Sequence, residues 1–555
     1  METAGAVMGS SIRAHGQLAA ILALGAAVRG WLLARPIAAL DGRSLPDDAY
    51  IVMEIARNIG WGHGPRFVDY LTNGFQPLFV WLAAIPFSWT TPGALDPSQL
   101  DFLLKLALGI SCTFDLGSLL LLSAAVHRGT GSRAAGLFAA LLWALQPAVL
   151  RVAVNGLETA TAIFFLLWVW NLMLRRPFAE STPARLFGVG LVSGVAAMAR
   201  IDFVFVGFYF AIESIRALRV TLRAPQGHSQ WIAQNVALAV GCVAGYAPWM
   251  LYSWQHTGTI IPGSGRAVRW ITLTHANHVL DTPLFVGMLS DGLAAVNANL
   301  PVLGKAAAII AASAFVHAIW RRLGPSGPPG QDPQTRSGTE WLRLPIVFGA
   351  SLFCAYTLYV FGRWFFPRYL APIHVLAIAT VAAGVASLAR RAGQRARLVW
   401  LVAAFGAVLA TTLQPSFHSL LFHPPDNQAG YRNLGIWARH MFSPGTVIGA
   451  TQTGALAYYA AGYRVVNLDG VVNPRAYREV IAGRALDYIR DENIDYVVAW
   501  RRNYEYLKRN SRGFVETDLP PVGYIEEFRS WGIQWQVHRV GYPDGRVPPP
   551  IVGRP

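Results

Sequence analysis

The chain has 555 residues, of which 54% are hydrophobic and only 14% are charged, and its mean hydropathy is +0.37. Soluble domains carry about 25% charged residues, so this composition excludes a soluble enzyme, a disordered scaffold and a secreted disulfide-rich domain. The net charge is +16, and almost all basic residues are arginines. The fold class that follows is a polytopic α-helical membrane protein.

Eleven apolar stretches approach the roughly 20 residues that a helix needs to cross a bilayer. The first lacks a convincing cleavage site before Asp41, so it predicts an uncleaved anchor. A shorter apolar run at 78–89 is expected to be re-entrant or to lie in the interface, although a second undetected helix in 36–100 would give thirteen spans. The predicted spans are 17–35, 101–127, 134–150, 157–174, 186–199, 203–220, 231–253, 301–320, 344–361, 370–389 and 398–414.

Arginine-rich short loops set the predicted orientation. With the N-terminus inside, all five basic loops fall in the cytoplasm, as the positive-inside rule requires. The loops 36–100 and 254–300 and everything after 414 then fall outside. This placement accounts for the positive charge without a nucleic-acid partner. The basic loops carry Arg128 and Arg133; Arg175, Arg176 and Arg185; Arg216, Arg219 and Arg223; Arg321, Arg322, Arg336 and Arg343; and Arg390, Arg391, Arg395 and Arg397.

The chain divides into a transmembrane domain at 1–414 and a small external α/β domain at 415–555. Alternating apolar residues predict strands within 445–451, 463–470, 494–500 and 532–540, with a short helix at 453–461. The proline-rich end, which contains Pro548, Pro549 and Pro550, is expected to be unstructured.

The first external loop holds two adjacent acids, Asp47 and Asp48, shortly after the first span. Pro46 and Asp47 predict the start of a helix, which the glycines around His63 end. Asp47 is either the N-cap of this helix or part of the reactive pair. Asp48 is the stronger candidate, because two neighbouring carboxylates can divide work, one orienting a group and the other accepting a proton.

Charged residues also occupy the predicted external turns between spans, where charge is costly unless it is paired or used. Arg200 and Asp202 flank one residue, and a helix-end salt bridge is the alternative to a substrate role. Glu158 either contacts a substrate or pairs with Arg200. Arg363 and Arg368 lie among aromatic residues, which suits either a lipid phosphate, since arginine presents a bidentate fork, or interfacial anchoring.

An ordered set of motifs in these segments resembles the GT-C glycosyltransferases, nearest to bacterial arabinofuranosyltransferase-like and mannosyltransferase-like members. The similarity begins with Asp47–Asp48 and covers nearly the whole chain. A histidine is expected in many relatives where Gln76 stands. The matching segments are A-R-N-I-x-x-G-H-G at 56–64, T-N-G-F-x-P-L at 72–78, Asn155–Thr159, Ala199–Asp202, Pro248–Tyr252, Ile261–Arg266, Arg368–Pro372 and Asn467–Pro474.

The resemblance implies an inverting transferase in a bacterial inner membrane, with its active site on the outer face. The donor would be a polyprenyl-phosphate sugar, and the acceptor a cell-envelope glycan, a glycolipid or a protein. Asp48 would be the general base, beside Asp47. No cofactor is required, although a divalent cation is possible, and no metal ligand is assigned. The remaining implied roles are donor phosphate binding by Arg363, Arg368 and Arg200, and substrate positioning by Glu158, Asp202, Asn73, His63, Ser264 and Arg266.

Two other functions remain open at this point. A transporter or lipid flippase would favour broken helices and polar residues at mid-membrane, whereas the acids here cluster in external loops. A non-catalytic envelope assembly factor could retain the same fold. The retained pair Asp47–Asp48 and the arginines of the external turns favour the enzyme over both alternatives.

Overall fold

The computed structural model describes residues 2–221, 227–279, 284–299, 305–310, 340–359, 366–424, 430–460, 463–530 and 533–551. Helices α1 to α14 precede residue 340. They are α1 (Glu2–Ala34), α2 (Ile37–Leu40), α3 (Asp47–Gly60), α4 (Pro77–Ala84), α5 (Pro97–Thr130), α6 (Arg133–Leu145), α7 (Pro147–Ala153), α8 (Thr159–Arg175), α9 (Pro183–Ala199), α10 (Val206–Thr221), α11 (Gly227–Thr257), α12 (Gly263–Val279), α13 (Leu284–Asn299) and α14 (305–310).

The remaining helices and all but two of the described strands lie in the C-terminal part. The helices are α15 (Arg343–Tyr359), α16 (Phe366–Tyr369), α17 (Ile373–Arg391), α18 (Ala396–Thr412), α19 (Pro415–Phe422), α20 (Tyr431–Met441), α21 (Gly454–Tyr459), α22 (Pro474–Ile481), α23 (Ala485–Asp491) and α24 (Arg501–Arg509). The strands are β1 (Arg66–Phe67), β2 (Tyr70–Leu71), β3 (Val447–Ala450), β4 (Arg464–Asn467), β5 (Tyr496–Trp500), β6 (Pro521–Ser530) and β7 (Ile533–Arg539).

The predicted spans agree with the helices. Nine of them lie wholly within the described residues, and each coincides with a helix or, at 134–150, with the pair α6–α7 bent by 64° before Pro147. In the described ranges, six helices are long and apolar enough to cross a membrane, and the bent pair would make seven. The run at 78–89 forms α4 and a short turn. The spans 301–320 and 344–361 extend beyond the described residues, so the total of eleven stays a prediction.

Helices α9 and α11 pack closely through glycines spaced four residues apart. Gly190 and Gly194 on α9 face Gly241 and Gly245 on α11, and a Cβ at any of them would overlap the backbone of the other helix. Small residues at this spacing let membrane helices approach at backbone distance. This contact fixes the end of α9, where Arg200 follows.

A buried ion pair ties α1, α5 and α6 together. The Arg29 Nε donates to Asp115 Oδ2 at 2.6 Å, and its guanidinium also bonds the Gly25 and Ala144 carbonyls. The Trp143 indole donates to Asp115 Oδ1 at 3.1 Å. Asp115 therefore finds on α1 the partner that a charge inside a span needs.

The two ends of the helix bundle carry different chemistry. Helix α5 begins near Asp101 and ends near Arg128, roughly 40 Å away at 1.5 Å per residue. At the far end, basic loops meet: Arg390 bonds the Thr130 carbonyl at 3.3 Å and Arg216 pairs with Glu340 at 2.9 Å. The described arginines Arg390 and Arg216 of two clusters predicted to be cytoplasmic thus lie at this end, opposite the end that carries the acidic turns.

A five-stranded mixed sheet forms the C-terminal α/β domain, with strand order β4-β3-β5-β7-β6. Strands β4, β3 and β5 are parallel, and β7 is antiparallel to both β5 and β6. The predicted strands correspond to β3, β4, β5 and β7, and the predicted short helix is α21. Strand β6 and helices α20, α22, α23 and α24 were not anticipated. The sheet lies wholly within 415–555.

The proline-rich end is held in place, which corrects the expectation that it would be unstructured. The Pro549 carbonyl accepts a hydrogen bond from the Tyr496 hydroxyl at 2.6 Å, and the Pro550 carbonyl accepts one from Ser443 Oγ at 3.0 Å. Ile551 forms a bridge with Phe442. Proline lacks an N–H but keeps its carbonyl, so an extended segment without helix or strand docks through these acceptors.

Candidate functional site

Helix α3 forms the centre of the candidate site. Pro46 precedes its first turn, and Gly62 and Gly64 follow its end with φ of +80° each, as the sequence predicted. Almost every side chain of α3 is buried, because the helix packs on α4 and on α21 of the α/β domain within one apolar core. Successive residues on a helix are rotated by about 100°, so Asp47 and Asp48 point in different directions.

Asp47 binds the α/β domain. Its Oδ2 accepts a hydrogen bond from the Gly454 N–H and its Oδ1 one from the Ala455 N–H, both at 2.9 Å. These are the first N–H groups of α21, which have no partner inside that helix. Asp47 is buried, and burial raises its pKa to about 7 against the opposing effect of these bonds. Asp47 therefore caps a helix, although not its own, and this geometry favours a structural role over a catalytic one.

The other end of α21 is held by the same helix. Arg57, ten residues and nearly three turns after Asp47 on α3, donates to the Tyr458 carbonyl at 3.0 Å and pairs with Glu54. An anion at the N-terminus and a cation at the C-terminus both stabilise a helix. Helix α3 thus clamps α21 between opposite charges.

Further interdomain contacts surround this clamp. Arg432 forms a bidentate pair with Asp101 at 2.8 to 3.1 Å, and the Tyr459 hydroxyl donates to the same carboxylate at 2.7 Å. Asp41 accepts hydrogen bonds from Tyr50 and from the Arg432 N–H, each at 2.8 Å. The α/β domain is consequently fixed on the end of the helix bundle that carries α3.

Asp48 faces the helix bundle instead. Its Oδ2 pairs with Arg368 Nη1 at 2.5 Å, and the two side chains remain 35% and 23% exposed. Arg368 lies 5.0 Å from the ring centroid of Tyr369 and donates to the Tyr369 hydroxyl at 3.2 Å. A partly exposed carboxylate at the start of α3 and a partly exposed guanidinium on α16 therefore lie side by side, where small polar ligands can reach both.

A buried network supports Arg368 from behind. Arg200 is 2% exposed and bonds Asp202 at 2.9 Å, the Tyr356 hydroxyl at 3.2 Å and the Arg368 carbonyl at 3.4 Å. The Tyr356 hydroxyl in turn donates to Asp202 at 2.9 Å, and its ring stacks on Tyr369 at 4.6 Å. The Arg200–Asp202 salt bridge, which the sequence offered as the alternative to a substrate role, is present. Because Arg200 is buried in this network, the geometry favours a positioning role for it.

Glu158 and Gln76 border the same group. Glu158 precedes the first turn of α8 and lies within electrostatic range of Arg200, Arg368 and Asp202. Gln76, at the position where a histidine was expected, accepts a hydrogen bond from the Ile201 N–H at 3.1 Å. Five of the predicted residues thus meet around one point: Asp48, Glu158, Arg200, Asp202 and Arg368.

The structure places the other predicted residues elsewhere. Asn73 is buried and fastens the second external loop, bonding Ser253 Oγ, the Thr259 and Ile261 carbonyls and the Gly263 N–H. Ser264 and Arg266 follow in the first turn of α12, the former half-buried and the latter exposed. Asn73 is therefore a loop-fastening residue in this geometry.

His63 is held at the far end of α3. His63 lies beyond the C-terminal end of α3, roughly 20 Å from Asp48 along the helix axis. Its Nδ1 is 3.3 Å from Asn58 Oδ1, so it does not join the group around Asp48, because a straight helix separates them. Arg363 lies outside the described residues.

Two residues of the group, Tyr356 and Tyr369, were missed by sequence reasoning. Tyr356 lies inside an apolar span, so nothing in the local pattern separates it from a packing residue. Tyr369 adjoins Arg368 but reads as an interfacial aromatic. In the part of the chain that the structure describes, no group of three or more His, Cys, Asp or Glu residues could hold a metal ion, and we assign no residue to a cation.

Comparison with solved structures identifies the fold. ArnT from Cupriavidus metallidurans bound to undecaprenyl phosphate superposes with a TM-score of 0.54, at 14% identity, over 94% of this chain and 98% of that one. The same protein in the apo state gives 0.52 at 13% identity, over 95% and 98%. The chain has the GT-C fold. The oligosaccharyltransferase of Archaeoglobus fulgidus gives 0.49 at 14% identity, over 91% of this chain and 73% of that one.

Sequence comparison adds one match within this chain. A family model described as "Domain of unknown function (DUF8728)" matches residues 421–538, which comprise most of the α/β domain. No curated protein sequence matches the chain. The GT-C fold that the motifs implied is thus confirmed by structure, whereas the roles of individual residues stay predictions.

Proposed function

We propose that the protein is an integral membrane glycosyltransferase of a bacterial inner membrane. It moves a sugar, with inversion, from a polyprenyl-phosphate carrier to a cell-envelope acceptor on the extracytoplasmic face. The observation that carries the proposal is the Asp48–Arg368 pair at 2.5 Å, partly exposed at the end of the bundle opposite the basic loops. A base and a phosphate-binding cation are the two groups that such a transfer needs next to each other.

Arg368 is the arginine that we propose for the donor phosphate. A guanidinium binds phosphate through two parallel hydrogen bonds, and its charge persists at any physiological pH. Arg200 donates to the Arg368 backbone carbonyl, and the Arg368 guanidinium carbon lies 5.0 Å from the centroid of the Tyr369 ring. When phosphate binds Arg368, the Asp48 carboxylate loses its ionic partner and becomes available to accept a proton.

The proposed reaction is a single displacement. The acceptor hydroxyl attacks the anomeric carbon, and its proton passes to a carboxylate oxygen of Asp48. The bond between the anomeric carbon and the phosphate oxygen breaks, and the electron pair leaves with the polyprenyl phosphate. Arg368 stabilises the negative charge on the leaving group. The transition state resembles an oxocarbenium ion, as in glycoside cleavage.

The fold and the charge distribution support this proposal. ArnT, which shares the fold, has been solved with undecaprenyl phosphate bound. The gathering of arginine-rich loops at the far end of the bundle supports a cytoplasmic location for that end, and hence an external one for Asp48. The sugar and the acceptor, whether glycan, glycolipid or protein, are left to experiment.

The buried charges favour a transferase over a transporter. The Arg29–Asp115 pair inside the bundle is enclosed and bonded to Trp143 and two backbone carbonyls, as a structural tie between helices would be. If the protein moved lipid-linked sugars across the membrane, Asp48→Asn would be tolerated and Asp115→Asn would abolish movement. A transferase loses sugar transfer with Asp48→Asn.

The deciding experiment is sugar release in a reconstituted assay. Purified wild type, Asp48→Asn and the control Asp69→Asn receive labelled polyprenyl-phosphate sugars and crude cell envelope as acceptor. Asp69 lies in the same loop but is 47% exposed, in a surface salt bridge with Arg464. We expect one donor to lose label with wild type and with Asp69→Asn only. Label retained on every donor with all three proteins would reject the proposal.

A further inference from the structure

Helices α5 and α8 make a close contact that aligns their far ends. A Cβ at Gly117 of α5 would lie 2.7 Å from the Phe164 ring of α8, so the two helices touch there. Arg128 follows Gly117 by eleven residues. Arg175 follows Phe164 by the same number. Eleven residues are about 16 Å and close to three full turns, so both arginines lie on the faces that meet at this contact.

Hydrogen bonds join these two helix ends to the start of α9. Asn171, one turn before Arg175 on α8, accepts a hydrogen bond from Arg128 Nη1. Arg185, in the first turn of α9, donates to the Arg176 carbonyl at 3.1 Å. Four arginines from three helices therefore lie together at the end of the bundle opposite the candidate site. We call Arg128, Arg175, Arg176 and Arg185 the arginine cluster.

The arginine cluster has no acidic partner within the described part of the chain. Arg128 bonds the neutral Asn171 amide, and Arg185 bonds Ser181 Oγ at 2.6 Å and backbone carbonyls. Glu180, exposed in the same loop, takes part in no described ion pair. Elsewhere at this end, by contrast, Glu340 pairs with arginines of other helices. Like charges repel one another, so an anion bound among these four arginines would stabilise their arrangement.

The surface next to the arginine cluster is apolar. Trp168 lies seven residues before Arg175 and hence on the same face of α8, and it is 38% exposed. Its ring centroid is 5.8 Å from that of Phe164. The charged helix end thus continues into an exposed aromatic strip. A free phosphate would contact only the charged part, whereas an amphipathic molecule contacts both.

We propose that the arginine cluster binds the phosphate of an anionic phospholipid, whose acyl chains lie along Trp168 and Phe164. A guanidinium binds phosphate through two parallel hydrogen bonds. Basic pockets between membrane helices suit anionic headgroups, whereas a zwitterionic headgroup would bring its own cation towards the arginines. The site lies at the opposite end of the bundle from the Asp48–Arg368 pair. It is therefore separate from the proposed donor site and does not depend on sugar transfer.

The test measures thermal unfolding of the purified full-length protein in a neutral detergent. A ligand that binds only the folded state raises the unfolding midpoint. Wild type and Arg128→Gln/Arg175→Gln are titrated with phosphatidylglycerol, with phosphatidylcholine and with inorganic phosphate. The matched control is Arg395→Gln/Arg397→Gln, which removes the same charge from two exposed positions at the start of α18, in another basic loop of the same end.

We expect phosphatidylglycerol to raise the midpoint of the wild type and of the control by the same amount. The rise for Arg128→Gln/Arg175→Gln should be at most about one third as large. Phosphatidylcholine and inorganic phosphate should leave all midpoints unchanged. An equal rise for the three proteins, an equal rise with phosphatidylcholine, or no rise for the wild type would overturn the inference. A rise with inorganic phosphate as large as that with phosphatidylglycerol would show a site for free anions and would overturn it as well.

Salt dependence tests the same inference on the wild type alone, so it remains decisive even if the double variant does not fold. Salt screens the attraction between partly exposed charges. The rise that phosphatidylglycerol produces should therefore fall at least twofold when NaCl is raised to about 0.5 M. A rise that does not change with salt would mean that the lipid binds through its acyl chains and not through the arginine cluster, which would contradict the proposal.

Discussion

Asp47 and Asp48 are neighbours in the chain but bind different parts of the molecule. The Asp47 carboxylate accepts the Gly454 and Ala455 N–H groups of the α/β domain, whereas Asp48 pairs with Arg368 of the helix bundle. The turn of about 100° between successive helix residues directs them apart. Substitutions of the two acids should consequently have separable effects.

Asp48→Asn should abolish transfer while leaving the protein folded. General-base catalysis contributes about 10²- to 10⁴-fold, so we expect at least a hundredfold loss of the maximal rate. The side chain is 35% exposed, and an exposed ion pair contributes little to stability. Initial rates and the thermal unfolding midpoint in detergent would be measured together. A rate within tenfold of wild type would exclude Asp48 as the base.

Asp47→Ala should loosen the α/β domain. The substitution leaves two buried N–H groups without their acceptor, which costs about 1 to 3 kcal/mol for each such group. Limited proteolysis should then cut between the helix bundle and the α/β domain faster than in wild type. Asp491→Ala serves as the exposed control. Proteolysis at the wild-type rate would mean that the cap contributes nothing to docking.

Gly454→Ala should have a similar effect for a steric reason. A Cβ at this position would overlap the Asp47 carbonyl oxygen and lie 2.9 Å from the Ile51 nitrogen. Gly265, in the first turn of α12, has open space where its Cβ would be, so Gly265→Ala is the matched control. We expect a lower unfolding midpoint for Gly454→Ala only. Equal midpoints for the two variants would show that α21 does not rest on α3 this closely.

Arg368→Lys should weaken donor use more than it changes stability. Lysine keeps the charge but loses the planar fork that binds a phosphate through two bonds. We expect the donor concentration for half-maximal rate to rise about tenfold, in line with one lost charge-assisted hydrogen bond. The acceptor concentration for half-maximal rate should stay near that of wild type. A change confined to the acceptor concentration for half-maximal rate would mean that the donor phosphate does not bind Arg368.

Docking of the α/β domain should weaken as pH rises from about 4 to about 7. Burial raises the pKa of both Asp41 and Asp47 to about 7, so in this range the folded protein binds protons that the unfolded chain has released. The stability from these two groups is therefore full below pH 4 and is lost as the pH passes 7. Unfolding midpoints at pH 5.5 and 8 would be compared with those of Asp41→Asn/Asp47→Asn, which should vary less. Equal variation would contradict the prediction.

Much of the helical architecture follows from hydropathy, because a membrane span must be both long and apolar. The bend before Pro147 could be anticipated locally, since proline removes a backbone donor. Strand β6 and helices α20 and α22 to α24 could not, because their short amphipathic segments take their form from packing on the sheet. The docked end at Pro549 and Pro550 was missed for the same reason.

The contacts of the candidate site also differ in whether the sequence could predict them. The Arg200–Asp202 pair is local, and its spacing already allowed a salt bridge. The Asp48–Arg368 pair joins residues 320 positions apart, and no periodicity predicts it. In the sequence, Tyr356 cannot be distinguished from the other aromatic residues of its apolar span. Its hydroxyl bonds to Arg200 and Asp202 arise only because α15 packs against the turn at Arg200.

By itself, the sequence determined that the chain is a polytopic membrane protein, which long apolar segments are helices and which turns carry charge, because apolar length and arginine placement are local properties. Only the tertiary structure decided which of two adjacent acids faces a cation and which caps a helix 407 residues further along the chain. That choice depends on the rotation of α3 between two domains, and the rotation is set by the close packing of both against it.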